Sequence, residues 1–255
     1  IIVGISVVFA GISMANYAEL LPKDGGILSY VTYRFGNTAA YFVGWMYMSL
    51  FYPVLTAVLF TVSGIYIAHL LAEFMNFEPT NWHFALIGFV NLTIFFFINI
   101  FRPKSSGIFQ QITTVLTALT LILIASLGIL SLFKGDINEV NTFSQVGNGL
   151  QKQSFILLVA ASFIPISFAF DGWYIATQIS GEIKNSSKNL PKALIIGTIS
   201  VMVIYIAYYL GIVFRMSGAE IIQLKDIYIT EFARKIASNS GALLMQLFII
   251  ISVLG

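Results

Sequence analysis

Cysteine is absent from the 255 residues, which excludes disulfides and thiolate metal sites within this chain. Histidine is nearly absent as well: His69 and His83 are the only two, too few for a zinc centre, and no metal or other cofactor is expected. Charge is equally scarce. Only 9% of the residues are Asp, Glu, Lys or Arg, against about 25% in soluble domains. The net charge of +2 is too small to point to nucleic acid as a partner. Enzyme signatures are missing too: no G-x-S-x-G, H-E-x-x-H, P-loop or dinucleotide fingerprint occurs, and no catalytic residue is expected.

What remains is apolar. Hydrophobic residues make up 58% of the chain and the mean hydropathy is +0.90, the composition of an all-α integral membrane protein whose surroundings are the lipid bilayer. About 20 apolar residues span a bilayer as a helix. That rule predicts segments at Ile1–Leu21, Ala39–Leu71, Phe84–Phe101, Ile108–Phe133, Ser154–Ser180, Ala193–Phe214 and a truncated Gly241–Gly255. The ends fall inside apolar runs, so residues 1–255 are expected to be a single polytopic domain, the inner part of a longer chain. Pro53 is a candidate kink in the long second segment.

One set of intervening loops holds Lys23, Arg34, Arg102, Lys104, Lys184, Lys188 and Lys192; the opposite set, leaving out the long loop after Phe214, holds Lys134 and Lys152. The positive-inside rule makes the first set cytoplasmic. Lys23-Asp24-Gly25-Gly26 is turn chemistry, and Ile27–Phe35 reads as a short interfacial helix. Ser217–Asn239 reads as a loosely helical outer loop, and Trp45 and Trp82 as interface anchors.

The stretch Phe168-Ala169-Phe170-Asp171-Gly172-Trp173 stands out inside the fifth segment. A carboxylate in hydrocarbon costs roughly 2.5–3.5 kcal/mol on insertion scales, and a mid-helix glycine about 1 kcal/mol. With Pro165 nearby, these residues predict a broken helix, tolerated only against protein or a watery cavity. Three readings of Asp171 stand: a binder of cations or protons, a hydrogen bond to a neighbouring helix, or a cap on a half-helix. The break itself presents carbonyls with negative and amides with positive partial charge, which suits a small zwitterion. Phe168, Phe170 and Trp173 are candidate walls or a lid. Elsewhere, Gln110, Thr113, Thr114, Thr117 and Thr120 share one helical face and are expected mainly to bond between helices, as are Asn91 and Asn99.

Phe168–Trp173, followed by Gly181-Glu182-Ile183-Lys184-Asn185 and Asn189-Leu190-Pro191-Lys192-Ala193, resembles the sixth-helix region of the L-type amino acid transporters of the amino acid–polyamine–organocation superfamily. Pro22–Gly26 with Tyr30, Gly44-Trp45, Asn99 and Lys134-Gly135-Asp136 are similar to the same family. The resemblance implies a LeuT-type inverted-repeat transporter fold, here partial, about seven transmembrane segments of twelve, with helices one and six broken near the midplane. It implies an amino acid substrate whose amino group meets the backbone of Phe168, Ala169, Phe170, Asp171 and Gly172. Phe168 and Trp173 take the gating positions, and the substrate carboxylate belongs to a first helix outside this segment. Three departures stand out. Thr117 falls where many relatives carry a coupling lysine, Asn16 replaces a usual Glu, and Asn185-Ser186 replaces Asn-Pro. A disulfide-linked subunit, known for animal members, is excluded through this segment. The expected activity is exchange of small neutral L-amino acids across the cell membrane. The alternatives are cationic amino acid or amine transport, or a seven-helix receptor.

Overall fold

The apolar segments form helices in the computed structural model, which describes residues 1–101, 103–133, 155–224 and 227–254. Arg102, Lys134-Gly135-Asp136, Lys152 and Lys225 lie outside those residues. The helices are α1 (Ile2–Leu20), α2 (Gly26–Met46), α3 (Tyr52–Met75), α4 (Asn81–Phe101), α5 (Pro103–Phe133), α6 (Phe155–Ala169), α7 (Ser186–Val213), α8 (Gly218–Leu224) and α9 (Tyr228–Leu254), with a 3-10 segment at Trp173–Glu182. Among the described residues six helical stretches are long and apolar enough to cross a membrane. The seventh expected span is the shorter apolar stretch Ser240–Leu254, the C-terminal half of α9. The described residues of the expected loop Ser217–Asn239 are therefore helical almost throughout, as α8 and the start of α9.

Two local chain features shape the second span. Gly36 leaves helical geometry at φ 82°, ψ 175°, a region glycine enters freely, so the residues before it form their own short helix, close to the Ile27–Phe35 expected. Pro53 does not break the chain. Its ring would clash with the carbonyl of Ser49, four residues back, and that carbonyl lies within a π-helical turn, Tyr47–Phe51. The wider turn takes up the clash, and α3 continues to Met75.

The helices fall into two compact units, Ile1–Phe51 with Ser144–Ile206, and Tyr52–Phe143 with Ala207–Gly255. Small residues bring helices together in each, since lipid chains leave no hydrophobic force between them. In the first unit the buried positions of α1 are Val3, Gly4, Gly11, Ala15 and Ala18. Thr198 of α7 packs on Gly11, and Ala15 and Ala18 share a cluster with Tyr30, Leu190 and Leu194. In the second unit Gly64 and Gly88 set the crossing of α3 and α4: a methyl on Gly88 would stand 2.6 Å from the Phe60 carbonyl oxygen. Asn91 Nδ2 donates to Ser63 Oγ at 3.3 Å in the same contact. Gly128 and Gly211 bring α5 against α7 in the same way. Ile124, Ile212, Met216, Phe232, Met245 and Ile249 form that unit's core.

The threonine stripe of α5 bonds mostly within its own helix. Thr113 and Thr114 donate to the Gln110 carbonyl, and Thr120 to that of Leu116; a hydroxyl reaches the carbonyl three or four residues back without help from another helix. Thr117 is different, because its hydroxyl, bonded to the Thr113 carbonyl, also meets Ser252 Oγ of α9 at 2.8 Å.

Ser217 and Glu220 cap α8 reciprocally. The Ser217 amide donates to Glu220 Oε2 at 3.0 Å and the Glu220 amide to Ser217 Oγ at 3.3 Å, the S-x-x-E capping box. Lys235 Nζ then donates to Glu220 Oε1 at 2.8 Å, tying α8 to α9. Arg234 meets Glu231 and reaches Glu73 Oε1 at 3.4 Å. Lys235 and the Ser217 amide hold the Glu220 carboxyl below its ordinary range. A depressed folded-state pKa means the stabilisation is present above the unfolded value of about 4.3 and is lost as pH falls through the folded one. Both side chains are over a third exposed, so Glu220→Gln should cost only about 0.5–1 kcal/mol at pH 7, and the cost should fall away as pH drops through the folded-state value. Thermal unfolding along a descending pH series checks this; a cost that stays constant down to acid unfolding would remove the carboxylate from the account.

Candidate functional site

The break in the sixth-helix region is built from its glycine. α6 runs through Pro165 to Ala169, so the proline does not end it. Its last turn tightens: the Phe170 amide splits between the Ile166 and Ser167 carbonyls, at 3.3 and 3.2 Å, and the Asp171 amide donates to Phe168 three residues back at 3.1 Å. Gly172 then takes φ 97°, ψ −19°, the left-handed geometry that ends helices with a glycine. The chain resumes as ten residues of 3-10 helix with an irregularity at Ile179, long for that conformation.

The sequence supports the 3-10 winding. Three residues per turn places positions 174, 177 and 180 on one line, and Tyr174, Thr177 and Ser180 are the buried residues of the segment. Thr177 Oγ1 donates to the Tyr174 carbonyl at 2.7 Å and Ser180 Oγ to that of Thr177 at 3.1 Å. This stripe meets the start of α2, where Gly26 leaves room for Thr177. At its end Asp24 Oδ1 accepts the Gly181 amide at 2.6 Å. Two motifs that stood apart in the sequence, Lys23–Gly26 and Gly181–Asn185, are thus one contact. Their separate turn chemistry carried no sign of it.

The candidate residues occupy different environments. The Phe168 side chain is about half exposed, at 47%, while Phe170 is buried at 8%. Phe170 packs edge-on against Tyr205 of α7, ring centroids 5.0 Å apart, and close to Gly4 of α1. The Ala169 carbonyl accepts the Tyr205 hydroxyl at 2.8 Å. The carbonyls of Phe170 and Asp171 accept no hydrogen bond among the described residues, and the half-buried Asp171 carboxylate has no hydrogen-bond or ion-pair partner among them. Trp173 is half-buried, edge-on to Tyr174 and packed on the cluster of Ala15, Ala18 and Leu190. Phe168–Trp173 therefore lie together in the first unit, whereas Thr117 belongs to the second. Tyr205 was not singled out by sequence reasoning. It is one of three tyrosines in an apolar run, Tyr205-Ile206-Ala207-Tyr208-Tyr209. Among the described residues no group of three or more acidic or histidine side chains stands together as a metal site.

Long apolar helices make this a multi-pass membrane protein, and discontinuous helices are the usual place for binding sites in secondary transporters. The chain belongs to the amino acid permease family, whose model matches residues 1–255. It is 28% identical over 255 residues to the serine/threonine exchanger SteT of Bacillus subtilis (strain 168), covering 99% of this chain and 54% of that protein. It is 27% identical over 233 residues to the large neutral amino acids transporter small subunit 2 of Mus musculus, covering 90% and 43%. The Asc-type amino acid transporter 1 of Homo sapiens is 27% identical over 217 residues, covering 84% and 41%. The chain thus spans about half the length of the curated relatives it matches. The all-α membrane fold expected from the sequence is the one found, as part of a permease fold in the cell membrane, and the family favours transport over the receptor alternative.

Proposed function

We propose that this protein exchanges small neutral L-amino acids across the cell membrane by alternating access, with residues 1–255 acting as one polytopic domain. The observation that carries this is the break at Phe170–Gly172, where two backbone carbonyls beside Asp171 accept no hydrogen bond among the described residues. Within the Phe168–Gly172 backbone the Phe170 and Asp171 carbonyls bind the substrate's amino group, Phe168 closes over it, and Trp173 anchors the far side of the gate. The relatives named as serine/threonine, large neutral and Asc-type amino acid transporters support the substrate class. The protein carries its substrate unchanged and is not an enzyme. Thr117, bonded within its helix and to Ser252, has no charge to relay, so the coupling that many relatives place on a lysine there does not run through a charged side chain at this position.

A second reading has its own observation: the Asp171 carboxylate lacks a cationic partner among the described residues, so it can serve a cationic amino acid or amine. Asp171→Asn separates the two. In proteoliposomes holding the full-length protein and preloaded with unlabelled substrate, uptake of labelled serine or alanine should stay within about threefold of the unmodified protein, since the backbone provides most of the binding. Loss of lysine or amine uptake with neutral uptake untouched would establish the second reading. If no amino acid exchanges at all, the transport proposal fails.

A further inference from the structure

We propose that Tyr205 is a positioning residue that holds the helix break open, its hydroxyl taking the place of the Trp173 amide on the Ala169 carbonyl.

In an uninterrupted α-helix the carbonyl of residue 169 accepts the amide of residue 173. Here that carbonyl accepts the Tyr205 hydroxyl at 2.8 Å, and the Trp173 amide has no acceptor among the described residues. The last carbonyls of a helix must find partners from outside it, and α7 provides one. Once Ala169 is satisfied, nothing draws Trp173 back to close the turn. The Phe170 and Asp171 carbonyls between them, which accept no hydrogen bond among the described residues, are left for a ligand.

The tyrosine is itself held. Its ring lies at 60° to that of Phe170 with centroids 5.0 Å apart, an edge-to-face arrangement that fixes both rings. Phe170 has room for this because α1 presents Gly4: a methyl there would come within 2.7 Å of Met202 Cγ and 3.4 Å of Phe170 Cζ. Met202 stands three residues before Tyr205, on the same side of α7. Gly4, Met202, Phe170 and Tyr205 thus form one packed group that aims a hydroxyl at one carbonyl.

The inference rests on the proposed transport for its meaning, but its test does not. Hydrogen exchange on the full-length protein in detergent reads the break directly. The Trp173 amide should exchange at least about tenfold faster than that of Ile175, which is bonded to the Gly172 carbonyl at 3.0 Å, because an amide without an acceptor opens at no cost. Tyr205→Phe keeps the ring and removes the donor, and should slow exchange at Trp173 as the turn closes. 4-Aminophenylalanine at position 205 restores a donor and should restore the fast exchange. Uptake by the same proteins should show KM raised about five- to tenfold in Tyr205→Phe with the maximal rate within about twofold, whereas the control Tyr209→Phe, which removes a hydroxyl from an exposed tyrosine of the same helix, should leave both unchanged. Trp173 exchange as slow as that of Ile175 in the unmodified protein overturns the proposal without any variant. So does a Tyr205→Phe protein whose exchange and KM are unchanged, or one that loses maximal rate alone. Exchange as expected in a protein that carries no amino acid would instead count against the transport reading.

Discussion

Leucine in place of Gly128 should destabilise the protein by about 3 kcal/mol or more, at the upper end of what overpacking costs. A side chain there has nowhere to go. Its first carbon would overlap the carbonyl oxygen of Gly211, and the obstacle is backbone on a neighbouring helix, not the tip of a flexible side chain. Gly211 has the same difficulty in return, since its own methyl would stand 2.8 Å from Ala125 Cα and 2.9 Å from the Ile124 carbonyl oxygen. The helices would have to separate, taking Ile124 and Ile212 out of the core they share with Met245 and Ile249. Gly197→Leu is the matched control on α7, because nothing lies within 4 Å of that position. It should be neutral or gain up to about 1 kcal/mol from helix propensity. The thermal midpoint in detergent should fall by about 6–12 °C for Gly128→Leu and not fall for Gly197→Leu. Equal midpoints would mean the two helices do not meet at those glycines.

Such crossings were not legible in the sequence, and the reason is physical. Helices in lipid are apolar on every side, so the pattern that reveals the buried face of a soluble helix is absent. Gly64, Gly88, Gly128 and Gly211 looked no different from Gly197 or Gly107, which have open space around them. Only the meeting of distant segments distinguishes them. The break at Gly172 was legible because its cost is local: a carboxylate and a glycine in the middle of an apolar run are expensive wherever the rest of the chain lies. Pro165 was misleading by the same local logic, since α6 passes through it. Tyr205 was silent, as one tyrosine among several on an apolar helix, until its partner carbonyl was known. The family resemblance supplied roles for Phe168 and Thr117 that their own chemistry did not specify. The contact of Asp24 with Gly181 joined two stretches that resemblance had marked separately.

If the break is the device that binds substrate, residue 172 should grade transport by backbone preference alone. The left-handed geometry at φ 97°, ψ −19° is open to glycine, tolerated by asparagine, and costly for alanine and still more for valine. Space is not in question, because a methyl on Gly172 would meet only Ile175 Cδ1, at 3.9 Å. Gly172→Ala therefore tests conformation with almost no steric term, at a cost of about 1–2 kcal/mol. The chain can escape that cost by letting α6 run on through Phe170 and Asp171, which withdraws both free carbonyls into helix hydrogen bonds. Uptake of neutral amino acids should then fall in the order glycine, asparagine, alanine, valine, with asparagine within about threefold of glycine and valine lower by about tenfold or more. Amounts of folded protein in the membrane should change much less than uptake, because the escape route is itself a good helix. A flat series, in which alanine and valine carry substrate as well as glycine, would show that the left-handed residue is dispensable and that binding lies elsewhere. A series in which asparagine fails as badly as valine would assign the loss to side-chain bulk and not to the backbone turn.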